Sequence, residues 1–221
     1  KTMKYFYTFI LFLIFSFNSY SQNIKIGLIG GSINNFNEDF KSRSYTNFIQ
    51  YGLNSRYEID ASDFSFGINI LFGNKNLHNM NEPYLIYKLD ASLLTIDFPV
   101  NYKIISLEEL SILGGFSVGL GYFYLAQEYK GASTNLMTAT SSNFSWSIEP
   151  KVEIVYEFTK ELDLIFNLGY YFSKYKISSA NDDSNNNLGH PAGSYEINTP
   201  DATNTFNFNS IHLVIGLMYS L

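Results

Sequence analysis

Nine charged residues, Lys25, Arg56, Glu58, Asp97, Lys103, Glu149, Lys151, Glu153 and Asp163, occupy the intervening positions of runs whose other members are large and apolar. Four are cations and five are anions, a nearly balanced set. Charges taken out of water persist only when paired and hydrogen-bonded. If these positions share one enclosed face, the chemistry expected of them is a structural network of ion pairs, with a gated ion path as the competing use. Catalysis demands more, namely a nucleophile, a base within hydrogen-bond reach and a group that orients the base. The chain has three histidines, His78, His190 and His212. Of these, His212 falls on the polar parity of the last run, beside Asn209 and Ser210. It could in principle pair with a carboxylate, yet with no evident orienting partner and no serine at a matching depth a structural role is expected and no catalytic residue is assigned. Asn181, Asp182, Asp183, Ser184, Asn185, Asn186 and Asn187 form an oxygen-rich cluster of the kind that can hold Ca²⁺. It lacks the glycine and closing glutamate of a helical calcium loop, which makes the 177–207 stretch a polar loop. No metal and no cofactor is expected.

The elements that must position these charges alternate at period two. Ile211, Leu213, Ile215, Leu217, Tyr219 and Leu221 share one parity, and His212, Val214, Gly216, Met218 and Ser220 the other. From Phe144 to Phe158 one parity carries Trp146, Ile148, Pro150, Val152, Ile154 and Tyr156, against Ser145, Ser147, Glu149, Lys151, Glu153, Val155 and Glu157. Similar runs start at Ile24, Ile49, Phe64, Leu94, Leu110 and Leu162, giving eight in all. Successive side chains of a strand point to opposite faces, so each run is a strand with one apolar face.

Volume decides which face points inward. An eight-stranded barrel has an interior just wide enough for side chains to fill, and it cannot hold several dozen Leu, Ile, Phe and Tyr residues. The other face is rich in serine and in Gly27, Gly52, Gly67, Gly115, Gly119, Gly121, Gly169 and Gly216, sizes that a narrow lumen accepts. The apolar face therefore points outward, and such a belt is stable only in lipid. Connections alternate in length. Short ones fall at Ala61–Ser62, Ile105–Glu108 and Thr159–Lys160, and long ones at about Ser32–Asn47, Asn74–Ala91, Gln127–Ser142 and Ile177–Asn207. Outer-membrane barrels have short periplasmic turns and long external loops. The expected fold is all-β: an eight-stranded antiparallel up-and-down transmembrane β-barrel with both termini in the periplasm. Trp146, Tyr122, Tyr124, Tyr170, Phe172, Tyr57, Tyr102, Tyr156 and Tyr219 lie near run ends, where interfacial girdles sit.

At the amino end, Lys4 precedes a thirteen-residue apolar stretch, Tyr5 to Phe17, followed by Ser19, Tyr20, Ser21 and Gln22. A basic start, a short apolar core and small residues before the break read as a cleavable signal peptide over 1–21, leaving a barrel domain over 22–221. A spanning helix needs about 20 apolar residues. Without a cysteine, neither a lipid anchor on cysteine nor a disulfide framework is available. Loss of Lys1 and Lys4 takes the formal charge from -6 to -8, a balance that argues against nucleic acid.

The Ser19-Tyr20-Ser21-Gln22 leader end, the Ile26-Gly27-Leu28 opening strand, the Leu94-Thr95-Ile96-Asp97-Phe98-Pro99-Val100 strand, the Gly114–Tyr122 strand and the closing Ile215-Gly216-Leu217-Met218-Tyr219 together resemble the PorT-like small outer-membrane β-barrel family of Bacteroidetes. The chain departs from such proteins in ending on Leu221 where they end in Phe or Trp, the residue read by the outer-membrane assembly machinery. The namesake is associated with a protein secretion system, and other eight-stranded barrels serve as adhesins, membrane-wall links or lipid-modifying enzymes. The resemblance implies a Gram-negative outer-membrane location and contact with outer-membrane lipid, lipopolysaccharide and the assembly machinery. It also implies a non-enzymatic role, either through external loops that meet a protein partner or as an accessory of secretion. The alternative is a lipid A deacylase or acyltransferase. Tyr175, Tyr195, Phe206 and Phe208 are expected to form an aromatic shelf at the base of the last loop.

Overall fold

The computed structural model describes residues 24–34, 36–38, 43–45, 47–59, 62–82, 85–130, 137–178 and 203–221. The segment 1–21 expected to be a signal peptide lies outside them, as do His190, Tyr195 and the Asn181–Asn187 cluster. In chain order the strands are β1 (Ile24–Ile33), the short β2 (Phe36–Glu38) and β3 (Arg43–Tyr45), β4 (Phe48–Glu58), β5 (Phe64–Glu82), β6 (Leu85–Ser106), β7 (Leu110–Lys130), β8 (Met137–Thr159), β9 (Leu162–Ser178), the short β10 (Thr203–Asn207) and β11 (Ser210–Ser220). The eight long strands pair antiparallel in the order β11-β1-β4-β5-β6-β7-β8-β9, and β9 pairs back onto β11. The ladder thus closes on itself, which is how a sheet satisfies its backbone where no water is available.

The two faces separate by parity. Phe144, Trp146, Ile148, Val152, Ile154, Tyr156 and Phe158 are exposed on β8, while Ser147, Glu149, Lys151, Glu153 and Val155 between them are buried. Among the described residues, forty large hydrophobic side chains stand exposed, far more than water would tolerate on one contiguous surface, so the belt faces lipid. At the short-turn end, Tyr156 donates to Glu109 (3.0 Å) and Tyr219 to Glu161 (3.4 Å). At the other end Tyr170 donates to the Asn209 carbonyl (3.2 Å). These tyrosines keep rings against the belt and hydroxyls at its polar margins.

The short connections fall where the alternation puts them, at 59–63, 107–109 and 160–161. Two of the expected long loops do not exist as loops. Asn74–Ala91 and Gln127–Ser142 are mostly ladder, because β5 and β6 stay paired out to Glu82↔Leu85, and β7 and β8 out to Tyr129↔Met137. Polar runs such as Asn74 to Asn76 break the apolar alternation without breaking backbone pairing, which continues once the ribbon has left the lipid. Part of Ile177–Asn207 is strand as well, since β10 pairs with the end of β9 and carries β2 and β3 on its other edge.

Candidate functional site

The interior of the barrel holds the charged set. Arg56, Asp97, Glu149, Lys151, Glu153 and Asp163 are buried there, and Lys25 and Glu58 are half-buried at the short-turn end. Lys103 is half-buried near the end of β6, and no ion pair joins it among the described residues. Lys25 contacts Asp163 at 2.7 Å and Glu58 at 3.2 Å. Arg56 pairs with Glu153, each side chain 3% exposed. β4 and β8 are four strands apart in a ring of eight, so this pair joins opposite walls and crosses the lumen. Lys25 and Arg56 are ladder partners on β1 and β4, and two neighbouring cations are answered by three carboxylates. Lys151 is not the direct partner of the glutamates flanking it in sequence: Glu153 goes to Arg56 and Glu149 to His212.

That last pair corrects the reading of His212. The histidine has an orienting carboxylate: its Nδ1 lies 3.0 Å from Glu149 Oε1, with both side chains buried. The register explains the pairing. Lys151 is opposite Gly169 on β9, and Gly169 is opposite His212 on β11. Gly169 has no side chain, and the Glu149 carboxylate lies across it; a Cβ there would collide with the carboxylate. The same device repeats on the adjoining strands. Asp97, Gly119 and Ser147 are successive ladder partners on β6, β7 and β8, and Ser147 Oγ donates to Asp97 across the glycine at 2.9 Å. Chain separation hides these contacts, and the available signal was a glycine of lumen parity flanked by polar residues on both neighbouring strands.

A carboxylate-oriented imidazole is half of a hydrolytic machine. The other half is missing among the described residues. His212 Nε2 makes no hydrogen bond and is directed toward Gly31 on β1, while the Tyr171 ring packs against the imidazole at 5.7 Å. Ser147 is committed to Asp97. No group of three or more metal-ligating side chains occurs among the described residues.

Toward the long-loop end the inner face changes character. Ile33, Phe48, Leu89, Ala91, Leu93, Phe123, Leu125, Tyr171, Tyr175, Phe206 and Phe208 form one buried cluster. Phe123 packs against Phe206 at 4.9 Å, Tyr175 at 5.4 Å and Phe208 at 5.5 Å, and Phe48 meets Phe208 edge-on at 5.8 Å. Sequence reasoning missed this layer, having expected small and charged residues inside and an aromatic shelf at the base of the last loop. Tyr175, Phe206 and Phe208 instead turn inward, and the Phe208 N–H bonds the Ser173 carbonyl at 2.9 Å to hold the turn. A second apolar layer of Ile29, Leu71, Leu113, Val155, Ile165, Val214 and Met218 also lies inside the barrel.

This arrangement is that of a transmembrane eight-stranded β-barrel, and solved outer-membrane barrels share it. The chain is similar to Neisserial surface protein A (TM-score 0.51, 11% identity, covering 90% of this chain and 97% of that one). It is similar also to the outer membrane protein OprG from Pseudomonas aeruginosa (TM-score 0.55, 13% identity, 90% and 95% covered). At such identities the likeness is one of fold. No family model and no curated protein matches the chain.

Proposed function

We propose that the chain is a bacterial outer-membrane protein whose lumen is plugged, and that it acts non-enzymatically through its long-loop end, as a binding, adhesive or structural protein or as an accessory of a secretion system. The observation that carries the plug is the Arg56–Glu153 bridge between opposite walls, roofed by the Phe123–Phe206–Phe208 layer. An eight-stranded interior that side chains fill this way leaves no continuous water path. The action at the long-loop end is supported by strand length. β5, β6, β7 and β8 have 19, 22, 21 and 23 residues, whereas crossing the bilayer takes about 9–11. Roughly ten surplus residues per strand, at about 3.3 Å each along strands tilted by about 45°, carry the ladder about 20–25 Å beyond the lipid. Short turns at the opposite end support a periplasmic position for both termini, and the PorT-like resemblance supports the secretion-accessory role.

Planar bilayers test the plug: the purified protein should give no steady large conductance, and stable porin-sized steps would refute it. Labelling of intact cells at a cysteine introduced at Asn79, on the protruding part of β5, tests the orientation. A lipid-modifying enzyme is the second reading, drawn from the Glu149–His212 pair. It requires that lipid A from cells with and without the gene differ in acylation by mass spectrometry, and identical spectra would remove it.

A further inference from the structure

A groove of about 600 Å³ lies on the lipid-facing wall formed by β11, β1, β4 and β5. The register shows what shapes it. Successive outward ladder pairs of β4 and β5 are Tyr51–Phe72, Leu53–Ile70, Ser55–Ile68 and Tyr57–Phe66. The first and last are ring pairs, with centroids 5.9 and 5.2 Å apart, and Ser55 is the one small side chain between them. Two stiff lips thus bracket a slot that is deepest at the serine. The slot continues sideways along one ladder row, from Ile68 through Ser55, Ile26 and Tyr219 to Leu162, and all five residues line the groove. That row is inclined to the belt. Leu162 is the first residue of β9, beside a short turn, whereas Ile68 lies four residues beyond Phe64, the start of β5. Four residues at about 3.3 Å each, on strands tilted by about 45°, set the Ile68 end about 9 Å above the start of its strand. The groove therefore begins at the polar short-turn margin, where Tyr219 donates to Glu161, and climbs into the hydrocarbon.

We propose that this groove is a binding site for one acyl chain of a membrane glycerophospholipid, with the headgroup at the short-turn margin and the tail lying along the row past Ser55. The course of the groove selects the occupant. A lipid tail starts at the polar margin and ends in the hydrocarbon, as the row does, whereas a second barrel would press a convex wall across the lips and leave the slot unfilled. The volume is that of pockets which enclose a small ligand, roughly 300–1,000 Å³. An unfilled slot would forfeit the dispersion contacts of its lining, and the medium that borders this wall is hydrocarbon. Tyr219, polar only at its tip, keeps its ring beside the tail and its hydroxyl at the margin. The assignment to a phospholipid of the periplasmic leaflet rests on the orientation proposed above; the shape of the groove does not.

Native mass spectrometry of the full chain, extracted from its membrane in a mild detergent, counts what stays bound. The parent should keep one phospholipid per barrel under activation that strips the detergent. S55F fills the slot and should lose that lipid, while S55A should keep it. I148F, on the lipid-facing parity of β8 across the barrel from β4, should keep it as well. Heat-dependent gel mobility verifies folding of each variant, and S55L serves if S55F does not fold. A parent without a retained phospholipid, retention by S55F equal to the parent's, or a parent that is dimeric where S55F is monomeric would each overturn the proposal. Lipid A retained in place of phospholipid would overturn the leaflet assignment and with it the orientation, which labelling at Asn79 reads independently.

Discussion

Replacing Arg56 by methionine leaves Glu153 inside the barrel without the guanidinium that reaches it from the opposite wall. Removing one partner of a buried ion pair costs about 3–5 kcal/mol, whereas replacing both by neutral groups of similar volume is often close to neutral. The two single variants are not equivalent here. Lys25 is the ladder partner of Arg56, so after Arg56→Met its charge remains in the same network and softens the cost of the orphaned glutamate. After Glu153→Gln, Arg56 and Lys25 are left side by side, with Glu58 and Asp163 both already engaged by Lys25. Glu153→Gln should therefore be the more damaging, at the upper part of that range, and Arg56→Met at the lower. Arg56→Met/Glu153→Gln should fall within about 1–2 kcal/mol of the parent, giving a coupling of several kcal/mol between the sites. Equilibrium urea unfolding in lipid vesicles, followed by Trp146 emission, measures all four corners of the cycle. Single effects below about 1 kcal/mol that simply add in the double variant would be those of an exposed pair, and would refute the crossing bridge.

Three further outcomes follow from the same geometry. Val152→Arg, in the middle of the lipid-facing parity of β8, should cost about 2–4 kcal/mol, and Phe158→Arg at the short-turn margin about 0–1; equal costs in vesicle unfolding would mean that the belt has been placed wrongly. A methyl group at Gly121 would meet the Tyr175 hydroxyl, so Gly121→Ala should lose about 1–3 kcal/mol as an overpacked site, and adding Tyr175→Phe should restore most of it. Because all backbone groups in the lipid-crossing part are paired around a closed ring, unheated protein should run faster than boiled protein in SDS gels; identical mobility would point to an open or unfolded chain.

The belt was the most legible part of the sequence, because its constraint is local. Phe144, Trp146, Ile148 and Val152 declare an outward face without reference to any other strand, and the same holds for Ile211, Leu213, Ile215 and Leu217. The closing order was legible too, since short turns leave consecutive strands few choices of neighbour. Where each strand ends was not. Alternation marks the part that lies in lipid, and beyond it Asn74 to Glu82 pairs as well as the belt does while obeying no apolar rule.

The interior was harder to read for a reason that the glycines make plain. Parity tells which residues face inward, and small residues are the mark of a narrow lumen. Gly119 and Gly169 do something more specific than save space. Each lies in a ladder row between two polar residues, Asp97 and Ser147 for one and Lys151 and His212 for the other, and each leaves a gap that a carboxylate contact crosses, Asp97 with Ser147 along the row and Glu149 with His212 on the diagonal. A row of that kind spans three strands, so its successive members are 22 and 28 residues apart in one case and 18 and 43 in the other, and a single strand's pattern carries no trace of it. The aromatic layer escaped notice for the opposite reason. Phe48, Phe123, Tyr171 and Tyr175 sit on the inward parity near the long-loop end, where large residues occupy both faces and the alternation on which everything else rested loses its contrast. The interior of such a barrel is thus written in two scripts, glycine gaps where side chains bridge polar walls and doubled hydrophobicity where they close it.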